Sequence, residues 1–325
     1  MPAASALTPK TILDLYTRML FIRRVEEKIA ALYPEQEMKC PVHLSIGQEA
    51  AAAGVCAALN QSDYVFSTHR CHSHYLAKGG DIKQMFAELY GKSTGCSKGK
   101  GGSMHLVDID QGMMGASAIV GGTIPIAVGA ALSASFQKKK SVSVAFFGDA
   151  ATEQGVFAES LNFAALKKLP VLFICENNFF ATHTPLTDRQ AVNNISERGK
   201  IYNVPGVCLE GDNVLEIYKN ALPMVERARS GNGPSILEVR AYRWKEHVGP
   251  NQDYNLGYRT QEELEEWMSR CPITNLEKEI LNKKWLDKNE LENAKNKIDQ
   301  KIEDAVAFAK SSPFPEPAEL LTEID

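Results

Sequence analysis

With 325 residues, 44% of them hydrophobic and 23% charged, the chain has the length and composition of a globular protein that buries a substantial core. A formal net charge of -4 gives no basic field for nucleic acid or acidic lipid, and no run of about 18 apolar residues exists to span a membrane. Seven scattered cysteines without a C-x-x-C pair, and an N-terminus ("MPAASALTPK") without a targeting pattern, point to reduced thiols in a cytoplasmic setting.

From Thr8 onward a long helix is predicted. Thr8 suits an N-cap, Pro9 the first turn, and apolar residues recur every three and four positions through "TILDLYTRMLFIRRVEEKIAALY". An Ala-rich helix follows from Gln48 to Leu59, and another, "IKQMFAELYG", ends at Gly91. Residues 91–108, "GKSTGCSKGKGGSMHLVD", lack periodicity and read as a loop. "TIPIAVGAALSASF" reads as a buried small-residue helix and "SVSVAFFGD" as a strand. "EQGVFAESLNFAALKKL" is an amphipathic helix stopped by Pro170, and "PVLFICENN" is a second strand. Helix "VLEIYKNALPMVERARSG" precedes a third strand, "SILEVRAYR". Apolar strands separated by such helices predict an α/β fold whose parallel sheet is covered on both faces. The tail from Gln261 is charged and helical, and is expected outside the core or against a partner. Without repeats, the reading is a single domain over 1–325: N-terminal helices at 1–60, a core binding region at 61–245, and a loop with C-terminal helices at 246–325.

Chemistry concentrates where two predicted strands end. Gly148-Asp149 closes the first and Asn177-Asn178 the next, with only residues 151–176 between the two motifs. A right-handed crossover puts both strand ends at one edge, where ligands of α/β sheets bind. The Asp149 carboxylate and the Asn178 amide can meet there, and oxygen ligands of this kind suit Mg²⁺ with phosphate and water oxygens completing its shell. The helix opening near Thr152 to Gln154 offers N–H groups to an anion. Neither G-x-x-x-x-G-K-[ST] nor a G-x-G-x-x-G after a strand is present, which favours a diphosphate held through a metal. A bland reading stays open at this point, since Gly-Asp is a common turn and Asp a common helix cap.

"GDA" (148–150) followed by "NN" (177–178) resembles the thiamine-diphosphate motif, whose usual form is G-D-G, the same gap, then N-N. "HLSIGQEA" (43–50), "STHR" (67–70), "GKGGSMH" (99–105), "AIVGGTIPIAVGAAL" (118–132), "FICENN" (173–178) and "YR-x(14)-YR" (242–259) extend the resemblance over residues 10–320. In that order they resemble the alpha subunit of the thiamine-dependent decarboxylating component of 2-oxo-acid dehydrogenase complexes, the pyruvate and acetoin versions being nearest.

The resemblance implies the thiamine-diphosphate-binding fold, with thiamine diphosphate and Mg²⁺ as cofactors. It implies a beta subunit that completes the site, in an assembly of two alpha and two beta chains, a small 2-oxo-acid substrate, and a lipoyl acyltransferase core as acceptor. By similarity, Asp149, the Asn178 side chain and the Phe180 carbonyl would hold the metal. Gly148, Ala150 and Ala151 would form the diphosphate turn, and Arg70 would bind phosphate, which suits its planar, permanently charged fork. His69 stands where the family has Tyr. Ala118 and Val120 would hold the aminopyrimidine through backbone atoms. His43, His72 and His247 sit in motif regions that line the family's channel, where imidazole suits proton transfer near neutrality. His247 matches the second His of the family's His-Gly-His loop and would also touch the cofactor. Three positions depart from the pattern: Ala150 for Gly, Lys245 and Glu246 for the loop's His and Gly, and Val248 for a regulatory Ser of animal members. Val248 implies no kinase switch of that type. Lys245 and Glu246 motivate an alternative, delivery of the acyl unit to a carbonyl acceptor in a sugar or secondary-metabolite pathway. A catalytically silent assembly subunit is the reading from another class.

Overall fold

A computed structural model describes residues 7–38 and 40–321. Helix α1 (Pro9–Leu32) begins as its cap residue dictates: the Thr8 hydroxyl accepts the Thr11 N–H at 3.2 Å. Then follow α2 (Glu49–Ala57), β1 (Tyr64–Ser67), α3 (His72–Lys78), α4 (Ile82–Leu89), β2 (Met113–Ala116), α5 (Thr123–Phe136) and β3 (Ser143–Gly148). Next come α6 (Gly155–Lys167), β4 (Val171–Asn177), a small hairpin of β5 (Phe180–Ala181) and β6 (Thr184–Pro185), β7 (Gly206–Glu210), α7 (Val214–Arg229) and β8 (Ser235–Arg240). Helices α8 (Gln261–Ser269), α9 (Pro272–Asn282) and α10 (Lys288–Ser311) close the chain.

Six strands form one parallel sheet in the order β2-β1-β3-β4-β8-β7. Strand alternation shows both faces buried. Val144 and Phe146 of β3, with Leu172 and Ile174 of β4, join one core with α1, α2 and α10. Ala145 and Phe147, with Phe173 and Cys175, join the opposite core under α5 and α6. The α/β class with a sheet flanked on both sides is therefore as expected. Chain direction reverses between β1 and β3: β1 leads out to β2, while β3 leads the other way to β4. That switch point is where a crevice opens at the carboxyl edge.

Several elements differ from the sequence reading. Strands β1, β2 and β7 and helix α3 are too short for periodicity to reveal. Helix α5 is not buried all round: Ile124, Ala127 and Ala131 face the core, whereas Ile126 is 57% exposed. Helix α10 packs on α1 and α4, burying Ile298, Ile302 and Ala305 in the main core. Among the described residues, no helix is long and apolar enough to cross a membrane.

The glycine-rich loop after α4 is organised by one side chain. The buried Glu88 carboxylate accepts N–H groups from Ser97, Gly99, Gly101 and Gly102 at 2.8, 2.9, 2.7 and 2.9 Å. Gly99 and Gly102 hold positive φ (76° and 63°), which lets consecutive amides converge on one anion. Glu88→Ala leaves these donors unmatched and is expected to lower stability by about 3 kcal/mol. Trypsin should then cut faster at the exposed Lys98; an unchanged melting curve and cleavage rate would refute this role.

Candidate active site

A cavity of about 260 Å³ opens at the carboxyl edge, walled by the segments that leave β1, β3 and β4. Gly148 ends β3 in extended backbone (φ -82°, ψ 166°), and the chain then turns at once through a short 3-10 helix, Asp149–Glu153. Ala150 lies inside this turn and is absent from the residues with positive φ, so its methyl brings no backbone strain. The opening N–H groups of such a turn have no partner within it, and Ala150 and Ala151 border the cavity.

Asp149 is 1% exposed and reaches the same cavity. Its Oδ2 is paired with the Arg189 guanidinium, which also pairs with Glu153. Neither Arg189 nor Glu153 lines the cavity, so the carboxylate is gripped from behind. Burial pushes its carboxyl above the usual range, and the Arg189 bond opposes that shift. Just past the neighbouring strand β4, Asn178 donates from Nδ2 to Gln48 Oε1 at 3.0 Å, which leaves Oδ1 as its acceptor. That oxygen accepts the Phe180 N–H at 3.4 Å. Phe180 borders the cavity as well.

Arg70, in the segment that leaves β1, also borders the cavity and is 5% exposed. It donates to the carbonyls of Leu44 at 2.6 Å and His247 at 3.2 Å. Among the described residues, no carboxylate forms an ion pair with it. Burial, reinforced by Arg243, pulls its pKa down to about 9. A buried cation without an ion pair at the cavity suits a bound anion, and a buried carboxylate bordering the same cavity suits a metal, as a metal with a diphosphate would supply.

Three imidazoles complete this wall. His43, His69 and His247 have ring centroids 4.7, 5.2 and 5.4 Å apart. The segment at 42–46 is tied to the loop after β8, since Trp244 N–H donates to the Ile46 carbonyl at 3.0 Å and Gly249 N–H to Val42 at 2.8 Å. Gly47 makes this approach possible: at φ 96°, a Cβ would lie 2.4 Å from both Trp244 and the Tyr242 carbonyl. Burial first, then Arg70, lowers the pKa of His43 to about 2, of His69 to about 4 and of His247 to about 3. All three stay neutral in the folded chain, whereas the unfolded chain protonates them near their ordinary value of about 6.5. Stability is therefore expected to fall as pH drops below that value, down through the folded pKa range. His43→Gln with His69→Gln should flatten the fall in melting temperature between neutrality and about pH 4.

The dehydrogenase E1 component family matches residues 17–318, nearly the whole chain. The chain belongs to this family. Relatives cover almost all of it. The alpha subunit of acetoin:2,6-dichlorophenolindophenol oxidoreductase from Bacillus subtilis (strain 168) is 43% identical over 98% of this chain and 95% of its own. The protein of the same name from Cupriavidus necator is 38% identical, over 99% and 96%. The pyruvate dehydrogenase E1 component subunit alpha of Rickettsia felis is 35% identical, over 98% and 96%. The expected E1 alpha-subunit character, with its α/β fold, is borne out.

This E1-family chain brings together every site residue read from the sequence except one. His43, His69, Arg70, Ala118, Val120, Gly148, Asp149, Ala150, Ala151, Asn178, Phe180 and His247 all border the cavity. His72 does not. It is fully buried beneath the wall, its Nδ1 3.2 Å from Glu26 and its Nε2 2.7 Å from the Ser103 hydroxyl. Glu26 also accepts the Ser45 N–H at 2.6 Å, so His72 ties α1, the 43–48 segment and the glycine loop together. His74 stacks on Phe146 at 4.0 Å, with its Nδ1 2.7 Å from the Ser67 hydroxyl and its Nε2 3.2 Å from Glu176.

Residues that sequence reasoning missed are mostly supports. Asp253 accepts from Arg243, Arg259 and Tyr258, which explains the paired Tyr-Arg motif: both arginines hold one buried carboxylate under the His247 loop. An Asp lying between two Tyr-Arg pairs was the available signal. Gln48, five residues after His43, and Glu176, just ahead of the Asn pair, also border the cavity. Nothing in the sequence pattern marks Arg189. Lys245 and Glu246 do not border the cavity; Glu246 Oε1 accepts the Asn251 N–H at 2.9 Å within its own loop.

Proposed function

We propose that this chain is the diphosphate-binding alpha subunit of a thiamine-diphosphate- and Mg²⁺-dependent 2-oxo-acid dehydrogenase that works with a beta subunit. The observation that carries it is the presence of a buried carboxylate, Asp149, and a buried guanidinium, Arg70, in the lining of one cavity at the sheet's switch point. Asp149, the Asn178 Oδ1 and the Phe180 carbonyl would hold Mg²⁺, a hard cation that favours oxygen donors. Arg70, with the backbone N–H groups of Ala150 and Ala151, would hold the diphosphate. Ala118 and Val120 would contact the aminopyrimidine. Bound thiamine diphosphate supplies the carbanion chemistry that decarboxylates a 2-oxo acid.

The chain's own residues orient and move protons. Neutral His247 and His43 are weak bases here, but each keeps a ring N–H, which suits delivery of a hydrogen bond or proton to the substrate carbonyl oxygen as charge develops there. Arg70 fixes the His247 loop through its carbonyl and so sets the height of that imidazole. The two-alpha, two-beta assembly, delivery to a lipoyl acyltransferase core and a cytoplasmic setting extend the same reading. Seven free thiols support the last of these. Pyruvate and acetoin are the substrate types of the relatives. The carbonyl-acceptor alternative rested on Lys245 and Glu246, and neither borders the cavity.

The chain co-expressed with its beta partner and supplied with thiamine diphosphate and Mg²⁺ should release carbon dioxide from pyruvate or a near 2-oxo acid, with dichlorophenolindophenol reduced. No release from any short 2-oxo acid, with cofactor binding demonstrated, would favour a silent assembly subunit.

A further inference from the structure

We propose that His43, His69 and His247 form a second metal site, of a different chemical class, that takes Zn²⁺ or a similar borderline cation. The three come from widely separated segments, yet a ligand-capable nitrogen of each lies within 4.8 Å of the others. Three imidazoles with an open fourth position is a recurrent zinc donor set, and imidazole nitrogen selects Zn²⁺ over Mg²⁺. A second observation points to a ligand. His43, which borders the cavity, is 7% exposed, and its Nδ1 is buried without a hydrogen-bond partner. Such an orphaned atom is costly unless something fills its lone pair.

The electrostatics agree with the geometry. Neutral imidazole is the metal-binding form, and burial keeps all three neutral. Arg70 opposes a bare dication here, so the fourth ligand is an anion: hydroxide, carboxylate or phosphate. The site depends on His69, since a Tyr at that position leaves two imidazoles. The consequence for catalysis, which rests on the proposed function, is inhibition: a cation holding His43 and His247 withdraws them from proton transfer.

The binding itself is testable without turnover. The full chain, stripped with chelator, is titrated with Zn²⁺ in a calorimeter and with Co²⁺ while visible absorption is followed. One Zn²⁺ per chain is expected, with a cobalt band typical of imidazole ligation. His69→Tyr and His43→Gln should each weaken Zn²⁺ binding at least about 100-fold, since removing a ligand exceeds the effect of removing its support. Asp149→Asn should leave Zn²⁺ binding unchanged, which separates this site from the Mg²⁺ reading. Circular dichroism checks folding; if His43→Gln unfolds, His69→Tyr decides. Absence of stoichiometric binding, or equal affinity in His69→Tyr, overturns the proposal.

Discussion

Asp149→Ala is expected to abolish Mg²⁺-dependent binding of thiamine diphosphate, with a loss beyond about 100-fold in calorimetry, because removing a ligand exceeds the effect of removing its outer support. Two effects act together. The substitution removes the only carboxylate among the proposed metal ligands. It also leaves the Arg189 guanidinium, now held between Asp149 and Glu153, with Glu153 alone, so one positive charge near the proposed Mg²⁺ site loses half of its compensation. Asp149→Asn keeps the shape and should be nearly as damaging, which shows charge rather than packing at work. Arg189→Gln keeps the ligand but loses its clamp, and a smaller drop of about 10- to 100-fold is expected. Wild-type, metal-dependent affinity in Asp149→Ala would remove the basis for the metal assignment.

Arg70→Met should separate binding from stability in a way that an ordinary salt bridge does not. Truncating one partner of a buried ion pair usually destabilises a protein by about 3–5 kcal/mol, because the other charge is stranded. Arg70 has no paired carboxylate to strand. Its burial is already unfavourable, as its pKa, pulled down to about 9, records. Methionine removes that cost while giving up hydrogen bonds to the Leu44 and His247 carbonyls. The melting temperature should therefore shift by only a few degrees. Diphosphate affinity should meanwhile drop about 100-fold, the loss of a charge-assisted contact worth about 2–3 kcal/mol. A large fall in stability with unchanged affinity for inorganic pyrophosphate would assign Arg70 to structure alone.

How much could be read from the text depends on what each residue answers to. Helices α1, α6, α7 and α10 and strands β3, β4 and β8 carry their own period and caps, so local sequence reveals them. Gly148-Asp149 and Asn177-Asn178 were legible because short-range topology dictates where two successive parallel strands end. The three short strands β1, β2 and β7 were not, since four or five residues hold too little pattern and their pairing is decided by distant partners. Long-range contacts also hid the supports: Arg189 finds Asp149 across 40 residues, and Glu26 finds His72 across 46. Gathering three histidines onto one wall is likewise a property of the folded backbone. His72 illustrates the converse hazard, because its motif neighbourhood was right and its direction was set by α3, which the text did not show.

The alanine at position 150 bears on how quickly a ligand can be accepted. A glycine in that turn would sample many shapes before binding and would surrender that freedom afterwards. Here the methyl confines the backbone to the negative-φ turn that already borders the cavity. An incoming anion thus meets amides set in advance, and association should follow a single exponential without a slower phase of local tightening.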